Sequence, residues 1–85
     1  MIIQYHKNFS KKYKKLSRKL QIKTQKQISL FINLPYASQL RNHPLKGKYK
    51  NYRSVNITGD LRAIFKVQNK NIIFVEIGTH SELFG

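Results

Sequence analysis

Between Tyr52 and Ile77 the chain reads YRSVNITGDLRAIFKVQNKNIIFVEI, a stretch in which side-chain character changes with a period of two. Arg53, Val55 and Ile57 alternate with Tyr52, Ser54 and Asn56, and Leu61, Ala63, Phe65 and Val67 carry the next alternation. That period belongs to strands with one face against a core. Thr58-Gly59-Asp60 between the two runs predicts a turn, so the runs form an antiparallel hairpin. A polar turn over Gln68 to Asn71 leads into Ile72 to Ile77, apolar on both faces and therefore expected inside the sheet rather than at its edge. Gly78 ends this strand and leaves His80 to Gly85 as a short tail.

Upstream of the hairpin the period becomes helical. Ile2, Ile3 and Tyr5 make a short strand, after which Asn8 or Ser10 is suited to cap a helix running to about Leu20. Phe9, Tyr13, Leu16 and Leu20 recur at three- and four-residue spacing on its inner stripe, while Lys11, Lys12, Lys14, Lys15, Arg18 and Lys19 take the remaining positions. A second helix follows, with Ile22, Ile28, Phe31 and Ile32 on its apolar side, and Pro35 stops it. Residues 35–51 hold both prolines and read as a long loop, with one helical turn near Ala37 to Leu40. The order β-α-α-β-β-β predicts a single α+β domain over residues 1–85, a two-layer sandwich of two N-terminal helices on a mostly antiparallel four-stranded sheet.

Charge narrows the partner class. Seventeen Lys and Arg face three acidic residues, a net charge of +14, and only Arg62, Lys66 and Lys70 of the basic set lie beyond position 60. The first two-thirds of the chain therefore has no internal counter-charge. A polyphosphate supplies it through counterion release, which makes nucleic acid the leading partner. The absence of cysteine rules out disulfides, thiolate metal sites and a Cys nucleophile, and suits a reducing cytoplasm. The sequence near Met1 turns polar at once, and the reading is of a chain neither secreted through a signal peptide nor membrane-spanning.

Few side chains can move protons near neutral pH. His43 lies in Asn-His-Pro-Leu within the loop, His80 follows Gly78-Thr79 at a strand end, and Asp60 opens a strand after Gly59. Each also has a plainer reading: an exposed loop residue, a tail histidine, a turn former. Arg53 and Arg62 stand on the two hairpin strands, where neighbouring strands are expected to bring them to one anion, and a guanidinium fork matches phosphate geometry. Three scattered histidines without cysteine lack the spacing of a zinc site, and no Gly-rich phosphate loop is present.

Taken in order, His43-Pro-Leu-Lys-Gly47, Tyr52-Arg53-Ser54, Gly59-Asp60-Leu61-Arg62 and Ile77-Gly-Thr-His-Ser-Glu-Leu-Phe-Gly85 resemble the RelE superfamily of bacterial toxins, most closely its YafQ branch. The resemblance extends over essentially the whole chain. It implies the toxin half of a toxin-antitoxin pair that cuts mRNA in the ribosomal A site without metal or cofactor, with ribosomal RNA and a cognate acidic antitoxin as partners. It also implies catalytic roles for His43, Asp60, His80 and Arg62, with Phe84 stacking on RNA. Arg53 and the helix lysines Lys11, Lys14 and Lys15 are the expected backbone contacts. Two positions depart from the branch: Asn56 stands where it has a further histidine, and Glu76 where it has an arginine. Two rival readings remain at this level, a non-catalytic ParE-like inhibitor of DNA gyrase and a simple basic RNA-binding module.

Each phosphate neutralised contributes a slope of roughly 0.7 to 0.9 in log affinity against log salt. Reversing the charges of Lys11, Lys14 and Lys15 together is expected to flatten the salt dependence of ribosome binding without unfolding the domain. An unchanged slope assigns those lysines to a merely solvated surface.

Overall fold

The computed structural model describes residues 2–85. Five strands, β1 (Ile3–Tyr5), β2 (His43–Pro44), β3 (Arg53–Asn56), β4 (Leu61–Gln68) and β5 (Asn71–Thr79), form one sheet in the order β1-β5-β4-β3-β2. β1 runs parallel to β5, and every other pairing is antiparallel. The α+β sandwich therefore stands, and β5 is interior as its apolar composition requires. The strand count of four is corrected to five. β2 is too short to show any alternation, and Pro44, which has no N–H to give a ladder, is tolerated because β2 is an edge.

The helices are α1 (Lys7–Lys14) and α2 (Arg18–Asn33). The expected continuation of the first helix to Leu20 is overturned by a break at Lys15 to Ser17. Ser17 is extended, and its hydroxyl accepts the Leu20 N–H at 3.2 Å, capping α2. Leu16 and Leu20 pack against the core with Tyr13 on both sides of the break, so the apolar spacing runs through it unaltered. His6, not Asn8 or Ser10, caps α1: its Nδ1 accepts the Asn8 N–H at 3.1 Å. α2 buries Thr24, Gln27, Ile28 and Phe31, and leaves Ile22 and Ile32 exposed. The two buried polar groups are bonded, Thr24 Oγ1 donating to Leu20 O at 2.7 Å and Gln27 Nε2 to Asn56 O at 3.3 Å.

Both helices are fastened to one face of the sheet by aromatic rings. Phe74, fully buried on β5, has ring neighbours Phe65 at 5.6 Å, Phe9 and Phe31 at 5.7 Å and Tyr5 at 5.9 Å. Val55, Ala63, Phe65 and Ile77 share that face and that core. By alternation, Ser54, Asn56, Arg62, Ile64 and Glu76 point the other way.

The tail beyond Gly78 is not irregular. The strand runs on to Thr79, and α3 (His80–Phe84) follows with a capping box in which Thr79 Oγ1 accepts the Glu82 N–H at 3.2 Å and Glu82 Oε1 accepts the Thr79 N–H at 2.8 Å. Leu83 and Ile64 are buried outside the main core. A Cβ on Gly78 would stand 3.3 Å from Glu82 Oε1 and 3.4 Å from Leu83 Cδ2, so the bare glycine is what lets α3 fold back so closely onto the sheet.

The hydrogen bonds from the Thr79 backbone and side chain hold the Glu82 carboxyl below its ordinary value. A lowered carboxyl pKa adds stability that is present above the unfolded-state value and lost as pH falls through the folded-state value. Acidification below the usual carboxylate range is therefore expected to fray α3 before the sheet, read as faster amide exchange at Leu83 and Phe84 than in β4. Thr79→Ala should loosen α3 at neutral pH, costing about 0.5–2 kcal/mol.

Candidate active site

The strand register builds the site on the sheet face that the two long helices leave free. His43, Ser54, Ile64 and Glu76 form one row across β2, β3, β4 and β5, and Asn56, Arg62 and Gly78 form the next. The last paired residues of β4 and β5 are Leu61 and Thr79; Asp60 precedes the first and His80 follows the second, which puts both at the same end of the sheet. His43 and Arg62 thus share one sheet face, and Asp60 and His80 lie at the end of the sheet that Arg62 is nearest. Among the described residues no group of three or more His, Asp or Glu side chains is placed to hold a metal ion.

His43 and Arg62 are held by their neighbours. Arg41 adopts a left-handed conformation (φ 47°, ψ 47°), and its carbonyl lies 2.7 Å from His43 Nδ1. A carbonyl can only accept, so Nδ1 carries the proton and Nε2 of the neutral ring has a free lone pair. Arg62 Nη1 donates to Asn56 Oδ1 at 3.1 Å, and Nη2 approaches Gly59 O at 3.5 Å. Arg62 Nε is buried with no hydrogen-bond partner, as is Ser54 Oγ in the neighbouring row. With five donors on the guanidinium, Arg62 keeps N–H groups for a phosphate after Asn56 is served.

Aromatic rings border the His80 end. Phe84 lies 5.0 Å from the His80 ring and 5.8 Å from Tyr49, and Tyr49 in turn lies 6.0 Å from Tyr52. Lys48 sits 5.2 Å over the Tyr49 ring. Rings interleaved with cations offer stacking surfaces for unpaired bases beside contacts for the backbone. A mainly apolar groove of about 500 Å³ between α1 and α2, lined by Tyr5, Phe9, Tyr13, Ile28 and Ile32 with Lys14 at its edge, contains none of His43, Asp60, Arg62 and His80.

One expectation changes. Arg53 pairs with Phe65, whereas Arg62 pairs with Asn56, so an odd offset puts the two arginines on opposite faces and they do not converge on one anion. Arg53 instead donates from Nε to Asn42 Oδ1 at 2.8 Å and lies 5.9 Å from the Tyr36 ring, bracing the 35–51 segment. Lys11, Lys14 and Lys15 are exposed on α1 and its cap, and the α1 lysine that reaches the site is Lys12, whose Nζ lies 2.7 Å from Glu76 Oε1. Sequence reasoning also passed over Asn56 as a support for Arg62. The signal was there: positions 56 and 62 are equidistant from Gly59, the middle of the turn.

Over residues 1–85 the chain matches the family described as bacterial toxin of type II toxin-antitoxin system, YafQ. The chain belongs to this family. It is 38% identical over 60 residues to the mRNA interferase toxin YafQ of Escherichia coli K12, covering 68% of this chain and 65% of that protein. It is 34% identical over 87 residues to the mRNA interferase toxin YafQ of the E. coli B strain BL21-DE3, covering 98% of this chain and 95% of that one. Among solved structures it is similar to the toxin in the E. coli DinJ-YafQ toxin-antitoxin complex, with a TM-score of 0.77, 35% identity, and coverage of 98% and 96% of the two chains. The toxin described here thus carries its YafQ-like fold with Asn56 and Glu76 in its site.

Arg53→Ala is expected to lower the melting temperature by removing the brace on the 35–51 segment, at a cost of about 1–3 kcal/mol. Ribosome affinity at fixed salt should remain nearly unchanged. A loss of affinity with the melting temperature intact would return Arg53 to the RNA contacts.

Proposed function

We propose that this toxin is a ribosome-dependent, metal-independent mRNA endoribonuclease of the cytoplasm that blocks translation, and that its cognate antitoxin is a small acidic protein. The observation that carries the reading is the register that places His43 and Arg62 on one sheet face, with His80 opening α3 two residues beyond Gly78, the partner of Arg62. Family membership and the names of its relatives point the same way. The +14 charge suits both a polyphosphate substrate and an acidic protein partner. No helix of the described residues is long and apolar enough to cross a membrane.

The ribose 2′-OH attacks the adjacent phosphorus in line, the 5′-oxygen leaves, and the products are a 2′,3′-cyclic phosphate and a 5′-OH. His43 takes the 2′ proton at Nε2, the nitrogen left unprotonated by the bond to Arg41. His80 gives a proton to the departing 5′-oxygen, while Asp60 orients His80 or replaces His43 as base. β2, which carries His43, and β5, which His80 follows, lie three strand spacings apart, about 14 Å, and the substrate is placed in the interval between them. Arg62, steadied by Asn56, stabilises charge developing on the phosphorane. Phe84 stacks on a base beside His80, and the ribosome supplies the enclosure that an open sheet face lacks.

His80→Ala should cut a ribosome-bound message about 10²- to 10⁴-fold more slowly with ribosome affinity nearly intact, and His43→Ala should lose a similar amount. A bridging 5′-sulfur at the scissile position leaves without protonation, and should restore His80→Ala but not His43→Ala. If His80→Ala cuts at the wild-type rate the assignment is wrong, and rescue of His43→Ala alone would exchange the two roles.

A further inference from the structure

Glu76 is a carboxylate on a surface that otherwise suits a polyanion, in a chain with only three acidic residues. It shares a row with His43 and lies two residues before Gly78, the partner of Arg62. Left alone, such a charge repels RNA. It is not left alone: Lys12 Nζ approaches Oε1 at 2.7 Å, the one ion pair among the described residues.

The topology explains how a helix lysine reaches that face. β1 covers β5 only from Ile72 to Phe74, after which the chain turns into α1, and α1 packs along β5. Lys12 extends from there to Glu76. Its side chain is 48% exposed and that of Glu76 20%, and ion pairs of this kind contribute about 0–1 kcal/mol, so stability does not account for it. An ammonium has three donors, and Glu76 occupies one. Lys12 also acts on two other elements of the site. Burial raises the Tyr49 phenol above its ordinary value and Glu76 adds to this, while Lys12 opposes both. Lys12 is likewise a minor contributor, after the Thr79 bonds, to the lowering of Glu82. Tyr49 touches Phe84, and Phe84 touches His80. The pair of Lys12 and Glu76 thus borders Tyr49, whose ring touches Phe84.

We propose that Glu76 is a positioning residue that holds Lys12 over the RNA face, and that Lys12 contributes the cation that grips a message phosphate beside the Tyr49–Phe84–His80 cluster. The inference rests on the RNA-cleavage reading and adds to it a contact and its support. Glu76 fixes a flexible side chain whose remaining donors face the substrate, so the carboxylate aids the binding of an anion by ordering a cation.

The test is single-turnover cleavage of a ribosome-bound message by Lys12→Ala, Glu76→Ala, the double variant and Glu76→Gln, each checked for unaltered thermal unfolding. Lys12→Ala and Glu76→Ala should each be slower by about tenfold at subsaturating ribosome, with the double variant no slower than either. Glu76→Gln, whose amide oxygen still accepts from Lys12, should keep most of the activity. Simple charge removal makes the opposite forecast, since loss of a carboxylate should strengthen an RNA site. Glu76→Ala cutting at or above the wild-type rate overturns the proposal, as do single effects that multiply in the double variant. If the wild-type protein itself leaves messages intact, the cleavage reading falls as well, an outcome distinct from failure of the pair alone.

Discussion

Everything in this small domain depends on the rings that converge on Phe74. Tyr5 from β1, Phe9 from α1, Phe31 from α2 and Phe65 from β4 all meet it, so one side chain ties both helices and two strands to a single face of the sheet. A chain of 85 residues has surface enough for one such core and no more. Committing Phe9, Phe31, Phe65 and Phe74 to one face leaves the other to α3 and the Tyr49 and Tyr52 rings beside it. There the polar residues of the alternating strands, Asn56, Arg62 and Glu76, stand where a substrate can reach them.

On that face, order comes from short-range devices rather than from burial. A left-handed Arg41 sets the His43 tautomer, Asn56 steadies Arg62, a capping box starts α3 at His80, and bare Gly78 lets α3 approach the sheet. The first two fix side chains assigned a chemical task, and the last two fix the helix that carries His80. His43 lies on β2 and His80 follows β5, strands separated by β3 and β4. The proposed chemistry is therefore complete only when an RNA strand spans the interval, and the ribosome is the natural place for a message to be held in that shape.

Much of this was legible in the sequence because it rests on periodicity. The alternation from Arg53 to Val67, the turn around Gly59 and the apolar run from Ile72 gave the three long strands and the interior place of β5. The place of the break between α1 and α2 was hidden because Leu16 and Leu20 stay on the core side across it, and Ser17 as a cap has no periodic signature. β2 escaped because two residues cannot alternate, and α3 because its five residues were read as a short tail. In the site, motif resemblance chose His43, Asp60, Arg62 and His80, but not which face each arginine takes. That is set by register, where an odd offset separates Arg53 from Arg62. The link from Lys12 to Glu76 crosses 64 positions and carries no local pattern at all.

The central claim is that the message is cut by its own 2′-OH, with histidines moving the protons. The most direct measurement is the chemistry of the ends left when purified toxin acts on a message bound to ribosomes in the presence of a chelator. The account predicts a 2′,3′-cyclic phosphate, or the 3′-phosphate it hydrolyses to, upstream of the cut and a 5′-OH downstream. A 3′-OH facing a 5′-phosphate would show that water, not the ribose, attacked the phosphorus, and would contradict it.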